Sequence, residues 1–363
     1  MSFSVEPSSL PSYARQLVRA DDDLATIAGY VVKHAAGGTG GELITIARTG
    51  HLHAMGVITS AFASVSARLS GSVPELHRAA AYYRHSDLAA LAALDRTLPV
   101  AGRCPSALEL EYLSNPCLPA PFTDSRNPGQ RLVPPPEPDD PQNSMAFMDY
   151  VSPASWAMKG FDIVLGFDPV AWVQEQFVGD WESLAAMRAV LTNAGRALHD
   201  IALNIQSGAT TLHGEWVGNA GDAAYGYFTT LAAAIADLTA PLDGIGRAYA
   251  VMAESVWAAG EAIGGVLKAM IDAAIIAGIS ASAGTVTAGT GVGAVVGYGI
   301  AAAEVAVILK MWGDATKLYQ NASAAVLAFR SALEHNLSGL ESVILPELPA
   351  GAGYDHPLVT AAR

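Results

Sequence analysis

Two side chains that a binding partner could read stand out in the stretch AAAYYRHSDLAAL. Tyr83 and Asp87 are four residues apart, and residues at this spacing lie one above the other on one face of an α-helix. An exposed aromatic edge beside a carboxylate could serve as a small recognition signal for another protein. The alternative is that Tyr83 continues the apolar stripe of its helix and that Asp87 is simply solvated.

No pattern of catalytic or metal-binding residues accompanies this pair. His51 and His53 are two residues apart, but no second cluster of ligands accompanies them to complete a metal site. The sequences typical of zinc proteases, phosphate-binding loops and serine hydrolases are absent. Gly289, Gly291 and Ala294 fit a dinucleotide-binding pattern, but no strand-like run precedes them, as that site requires. We therefore predict that the protein is not an enzyme and holds no metal and no cofactor.

The composition favours packed helices. The chain has 363 residues, of which 51% are apolar and only 7% aromatic, and alanine is abundant. Alanine-rich sequence with few aromatic residues suits helices better than sheets, so we predict an all-α fold of helical hairpins in two domains. The net charge of −14 argues against nucleic acid as a partner. The opening MSFSVEPSSLPSYARQ lacks the basic start and apolar core of a Sec signal peptide.

Residues 1–98 are predicted to form the first helical hairpin. Apolar side chains recur mostly in steps of three, four and seven across residues 10–31 and again across residues 55–83. Between the two series, residues 37–41 read GGTGG, which is typical of a flexible turn. The second arm of this hairpin therefore carries Tyr83 and Asp87 near its end.

Residues 99–155 are predicted to be an extended linker between the domains. Eleven of the 20 prolines of the chain fall between Pro99 and Pro141, and proline is excluded from helix interiors because it lacks the amide donor. Cys104 and Cys117 also lie here. They are either free thiols or a disulfide, which would close a loop of about 14 residues and stabilise the fold by roughly 3 kcal/mol.

Residues 156–345 are predicted to be a second helical domain, followed by a loop-like tail at 346–363. A stripe with a spacing of seven predicts one long helix with a partner on one face; its members are Leu184, Leu191, Leu198, Ile205 and Leu212. A second series covers residues 228–256. Trp216 and Gly218 lie between the two series, where glycine permits a tight reversal and tryptophan can bury against both helix ends.

Two prolines predict interruptions inside these helices. Ser72 and Glu75 are spaced like a capping box with Pro74 between them, so we expect a break or kink in the second helix near residue 71. Pro241 lies inside the series at residues 228–256 and should kink that helix or restart it.

The turn between residues 184–212 and 228–256 resembles that of the WXG-type family, small helical hairpins exported by the type VII (ESX) secretion systems of actinobacteria. Trp216 and Gly218 carry this resemblance. Residues 1–98 resemble the EspC-type branch, in which a helical hairpin is followed by Tyr-x-x-x-Asp, here Tyr83 and Asp87. The resemblance implies that this pair is an export signal recognised by the secretion ATPase or by an adaptor or chaperone.

The same resemblance implies where the protein acts. It would be made in the cytoplasm, exported without the Sec pathway, and released or kept at the cell surface, where it works through helical recognition surfaces. Either a WXG-type partner protein or a second copy of the chain could pair with it. This interpretation expects no β-sheet at either bend, and it expects the phenol and the acid not to be buried facing inward.

Two rival functions remain open at this stage. The chain could be the delivery region of a polymorphic toxin without its C-terminal enzyme. It could also be a membrane-active effector that uses residues 273–303, which contain no charged residue and exceed the roughly 20 residues needed for one crossing. Membrane contact is not favoured, because the segment has seven glycines and no leucine or phenylalanine. We expect instead a buried helical hairpin that turns within residues 284–293.

Overall fold

Long helices account for most of the chain in the computed structural model, which describes residues 3–35, 40–99, 103–114, 119–136, 161–286, 292–347 and 356–357. The predicted all-α fold is confirmed. The helices are α1 (Ser9–His34), α2 (Glu42–His85), α3 (Leu88–Asp95), α4 (Ala107–Leu113), α5 (residues 161–165), α6 (Pro169–Phe177), α7 (Trp181–Glu215), α8 (Asn219–Asp237), α9 (Thr239–Val286) and α10 (Val292–Glu341). One turn of 3₁₀-helix covers Pro128–Arg131, and two short strands, β1 (Ser4–Val5) and β2 (Trp216–Val217), pair with each other.

Helices α1 and α2 pack against each other as the predicted first hairpin. The predicted break near residue 71 is wrong, because α2 runs without interruption from residue 42 to residue 85 with Pro74 inside it. Ser72 bonds back to the carbonyl of Arg68 at 2.6 Å and does not cap a new helix. Leu69 and Leu76 are both fully buried on one face of α2. Packing on both sides of the proline therefore keeps the helix whole despite the lost hydrogen bond.

The long helix α7 and the shorter α8 form the second hairpin. Every leucine and isoleucine of the predicted stripe in α7 is buried. Helix α8 ends at Asp237 and α9 begins at Thr239, so that Pro241 falls in the first turn of α9. The predicted restart at this proline is confirmed, since the first turn of a helix does not need the missing N–H.

Helices α9 and α10 pack along each other as a third hairpin, and residues 287–291 between them lie outside the described residues. The expectation that residues 273–303 are buried is wrong: Ala273 and Ala274 are buried, but Ile276, Val295 and Val296 are exposed. In α10, residues Val295–Glu341 are long and apolar enough to cross a membrane by length and composition, with a mean hydropathy of 1.6 in a window of which 11% is buried.

The described part of the predicted linker is a strap packed on the helices, so the expectation of an extended linker is wrong there. Helix α4 lies against α7 and α8, and the 3₁₀ turn lies against α7 and α1. The Gln16 amide donates to Asp124 Oδ1 at 2.9 Å, and Arg131 Nε donates to Asp200 Oδ2 at 2.7 Å. The sequence could not reveal these partners, because each lies about 70 to 110 positions away along the chain.

An ion pair fixes the start of this strap. Arg103 binds Glu109 through both terminal guanidinium nitrogens, at 2.5 and 2.7 Å, and its guanidinium lies 4.4 Å from the centre of the Tyr225 ring of α8. The Tyr225 hydroxyl donates to Glu109 Oε1 at 2.6 Å. The hydrogen bonds from Arg103, aided by the one from Tyr225, lower the pKa of Glu109 to about 2. The carboxylate is therefore charged at neutral pH and joins α4 to α8.

One apolar core runs through both predicted domains. It includes residues of α1 and α2 together with residues of α7, α9 and α10. In α1, the Tyr13 hydroxyl donates to the Ile205 carbonyl of α7 at 3.2 Å, and its ring meets Phe228 edge-on at 4.8 Å. The domain boundaries predicted from the sequence stay a prediction, and the shared core crosses them.

Candidate functional site

Tyr83 lies near the end of α2 and points into the protein. Its side chain is only 3% exposed, so the exposed aromatic edge expected from the sequence is wrong. The hydroxyl hydrogen-bonds His356 Nε2 at 2.7 Å, and the ring meets the Trp216 ring edge-on at 5.7 Å. Burial raises the pKa of Tyr83 well above its ordinary value, so the phenol stays neutral and acts as a hydrogen-bonding anchor.

Asp87 does not share a helical face with Tyr83. Helix α2 ends at His85, the chain turns extended at Ser86, and Asp87 is the N-cap of α3. Its Oδ1 accepts hydrogen bonds from the backbone N–H groups of Ala89 at 2.9 Å and Ala90 at 3.0 Å. The expected stacking on one face is wrong because an aspartate cap starts a new helix here. The Asp87 side chain is exposed to solvent.

Trp216 and Gly218 form the turn between α7 and α8, as the sequence predicts. The Trp216 ring is fully buried, and Gly218 has a φ of +136°, which side-chain-bearing residues rarely adopt. A Cβ at position 218 would lie 2.7 Å from Asp95 Oδ2 and 3.0 Å from Phe3 Cδ2. The glycine is therefore needed both for its backbone conformation and for the close approach of Asp95.

Asp95, the last residue of α3, caps the neighbouring helix α8. Its two carboxylate oxygens accept hydrogen bonds from the backbone N–H groups of Asn219 and Ala220, each at 2.9 Å. This residue was not predicted from the sequence. The one local signal is an acid at a helix C-terminus, where the helix dipole disfavours negative charge; the positive N-terminal end of α8 compensates for it.

The N-terminal residues hold the Trp-Gly turn by β-pairing. Ser4–Val5 pairs antiparallel with Trp216–Val217, and the Glu6 N–H donates to the Glu215 carbonyl at 2.9 Å. At the other bend, Gly40 forms an isolated bridge with Gly179. The expectation that both bends lack β-pairing is therefore wrong, although each contact is only one or two residues long.

His356, from the predicted C-terminal tail, packs on Trp216 and Tyr83 and covers them. Its imidazole is fully buried and stacks on the Trp216 ring with centroids 5.4 Å apart and planes 8° from parallel. Neither His356 nor Phe3 was predicted from the sequence; the Phe3 ring lies 6.2 Å from that of Tyr83. No local signal could find them, since Tyr83 and His356 are 273 positions apart.

The other predicted site residues lie elsewhere. Cys104 is exposed and Cys117 lies outside the described residues, so their disulfide stays a prediction. Among the residues that the structure describes, no group of three or more His, Cys, Asp or Glu side chains could hold a metal ion. The site built by Tyr83, Trp216, His356 and Asp95 thus offers buried aromatic rings and a helix cap.

Comparison of this chain with protein-family models, with curated proteins and with solved structures finds no match.

Proposed function

We propose that this protein is a non-enzymatic substrate of a type VII secretion system and is recognised at the end of the bundle where Tyr83 and Trp216 meet. One observation carries this proposal: the aromatic residues of the two motifs behind the family resemblance, Tyr83 and Trp216, are 133 positions apart in sequence, but their rings meet edge-on at 5.7 Å. Both motifs therefore lie at one end of the bundle, where a secretion ATPase or an adaptor would bind the exposed residues around the buried pair. The protein would leave the cytoplasm without the Sec pathway.

The surface available to such a partner is the exposed side of α3 together with its N-cap, Asp87. Asp87 is exposed there, as are Leu88 at 60% and Leu94 at 41%. The carboxylate at the start of α3 and the two exposed leucines along this helix offer one charge and apolar contacts, which suits recognition by another protein. The buried Tyr83 positions this surface by anchoring the end of α2, one turn before Asp87.

The export of the intact chain from a host with a type VII system tests the proposal. Asp87→Ala removes both the cap and the charge, whereas Asp87→Asn keeps the cap and removes only the charge, since asparagine caps helices as well as aspartate does. We expect both variants to lose at least tenfold in exported protein, while Asp87→Asn keeps the thermal stability of the parent chain. Normal export of Asp87→Asn would show that Asp87 serves only as a cap and would overturn its role as a signal.

Tyr83→Phe has a matched control elsewhere in the core. Tyr83 and Tyr249 each donate or accept one buried hydrogen bond with a histidine, His356 and His51 respectively, at 2.7 Å. Tyr83→Phe and Tyr249→Phe should therefore destabilise the protein by similar amounts, about 1 kcal/mol each. We expect only Tyr83→Phe to reduce export. Equal export of the two variants contradicts a special role for the Tyr83 end.

A further inference from the structure

The turn end of the α9–α10 hairpin, residues 273–286 and 292–303, exposes apolar side chains to solvent. Ile276, Val295, Val296, Tyr298 and Ile300 are each between 44% and 75% exposed. No charged residue occurs between Asp272 and Glu304. Five large apolar side chains exposed in a segment without any charge are unusual on a protein that meets only water. Something apolar is therefore expected to cover this hairpin end.

The exposed apolar positions of α10 are spread around more than half of the helix and do not form one narrow stripe. At 100° per residue, the side chains at 295, 296, 298 and 300 cover an arc of about 200°. A single partner helix contacts a stripe of about 100°. A surface that is apolar around more than half of a helix suits a surrounding solvent such as lipid better than it suits one protein partner.

The length of the hairpin end limits how it could enter a membrane. The segment of α9 from Ala273 to Val286 has 14 residues, which rise about 21 Å. The hydrocarbon core of a bilayer is about 30 Å thick and needs about 20 helical residues for one crossing. The hairpin end can therefore reach deeply into one side of a bilayer without crossing it.

We propose that the turn end of the α9–α10 hairpin inserts into the hydrocarbon region of an electrically neutral lipid membrane. The four charged residues nearest to it are Lys268, Asp272, Glu304 and Lys310, which sum to zero. The chain as a whole has a net charge of −14, which repels anionic lipid. The observations that carry this inference lie in α9 and α10 and are independent of those behind the proposed export.

Flotation of the intact chain with phosphatidylcholine vesicles tests this insertion. We expect the parent chain to float with the vesicles. We expect the double variant Val295→Glu/Val296→Glu to lose about 100-fold in partitioning, because a charge in the hydrocarbon region is strongly disfavoured. Adding phosphatidylglycerol to the vesicles should weaken the binding of the parent chain at low salt.

The same two helices supply matched controls. Val251 in α9 is 61% exposed and Leu327 in α10 is 60% exposed, but both lie outside the charge-free segment. Val251→Glu and Leu327→Glu should therefore bind the vesicles like the parent chain, and circular dichroism should show the same helicity for all variants. A parent chain that does not float, or variants that all bind alike, would overturn the inference. If the parent chain does not float, light scattering gives the molar mass of the parent chain and of Val295→Glu/Val296→Glu. A dimeric parent chain and a monomeric variant would show that a second copy of the chain covers this surface.

Discussion

At the scale of single residues, position 218 accepts only glycine for two separate reasons. Its φ of +136° strains any residue with a side chain. A Cβ would also press on the Asp95 carboxylate at 2.7 Å, the group that caps α8. We expect Gly218→Ala to lower the free energy of unfolding by about 1–3 kcal/mol, measured by urea denaturation.

A second glycine four residues earlier provides the control for this prediction. Gly214 lies inside α7, and a Cβ added there would meet nothing within 4 Å. Gly214 is the last residue but one of α7, so Gly214→Ala should leave the free energy of unfolding unchanged or raise it by less than about 1 kcal/mol, the difference in helix propensity in a helix interior. If the two alanine variants were equally stable, the close packing of the Trp-Gly turn against Asp95 would be contradicted.

His51 gives the core a dependence on pH. The ring is buried between α2 and α9 and hydrogen-bonds the Tyr249 hydroxyl at 2.7 Å and the Ala35 carbonyl at 2.9 Å. Because a carbonyl only accepts, the neutral ring donates from Nε2 to Ala35 and accepts at Nδ1 from Tyr249. Burial lowers the pKa of His51 below its ordinary value of 6.5.

The sign of the pH effect follows from this lowered pKa. Above pH 6.5 the histidine is neutral in both the folded and the unfolded chain, so its contribution is complete. Below that pH the unfolded chain binds a proton that the folded chain resists, and stability falls until the folded pKa is reached. We expect the fall in the free energy of unfolding between pH 7 and pH 5 to be smaller in His51→Gln. An unchanged slope in His51→Gln would mean that another group causes it.

At the scale of secondary-structure elements, α2 contains a proline, Pro74, at which the sequence predicts a break. Pro74 lies on the exposed side of the helix and removes one backbone hydrogen bond. Pro74→Ala should restore that bond, and we expect the free energy of unfolding to rise by about 1–3 kcal/mol, the proline penalty less the entropy that proline removes from the unfolded chain.

Pro169 is the matched control for Pro74. It occupies the first turn of α6, where the N–H of any residue would lack a helical partner. Pro169→Ala should therefore not raise the free energy of unfolding measured by urea denaturation. A Pro74→Ala variant no more stable than the parent chain would show that α2 is already relaxed around the proline.

The elements that the sequence predicts well are those with a periodic apolar stripe. The spacing of Leu184, Leu191 and Leu198 predicts α7 because each seventh residue returns to the same face and finds a partner there. The position of Trp216 predicts the end of α7 for the same reason, since the stripe stops before it. Such local patterns also predict an all-α fold, which is what the structure has.

The elements that the sequence predicts badly depend on contacts between distant residues. The proline-rich strap has the sequence of a free linker, but in the structure Arg131 binds Asp200, which is 69 positions away. The pair of Asp95 and Asn219, which are 124 positions apart, is equally hidden. The error at Asp87 has a local cause: its spacing from Tyr83 suits one helix, but its type suits a cap, and the cap determines the structure.

At the scale of the whole molecule, the core joins the N-terminal hairpin to the rest of the protein. Helix α1 comes close to α7 because residue 208 is glycine, where a Cβ would lie 2.5 Å from the Tyr13 ring. In α1, one helical turn after Tyr13, the Gln16 side-chain amide donates to the Asn204 backbone carbonyl of α7 at 3.1 Å. Buried contacts of this kind make the stability of α1 depend on α7, so the two parts should unfold together.

The distribution of tryptophan makes this dependence measurable. All six tryptophans lie at residue 156 or beyond, so tryptophan fluorescence reports on the C-terminal part, whereas circular dichroism in the far ultraviolet reports on every helix. We expect the urea transitions seen by the two methods to coincide. Trp216 touches Tyr83 of α2, so the comparison should be repeated in Trp216→Phe, where the remaining tryptophans no longer sense that contact.

Gly208→Ala tests the same coupling from the interface itself. The added methyl group presses on the Tyr13 ring, so it strains the contact between α1 and α7 while leaving most of each hairpin's own packing intact. If the core is shared, the loss of stability must appear in both tryptophan fluorescence and circular dichroism. The midpoints of the two urea transitions should then fall by the same amount. If α1 and α2 were a separately folding domain, circular dichroism would acquire an earlier transition that tryptophan fluorescence does not follow, since the displaced hairpin could unfold without disturbing α7 to α10.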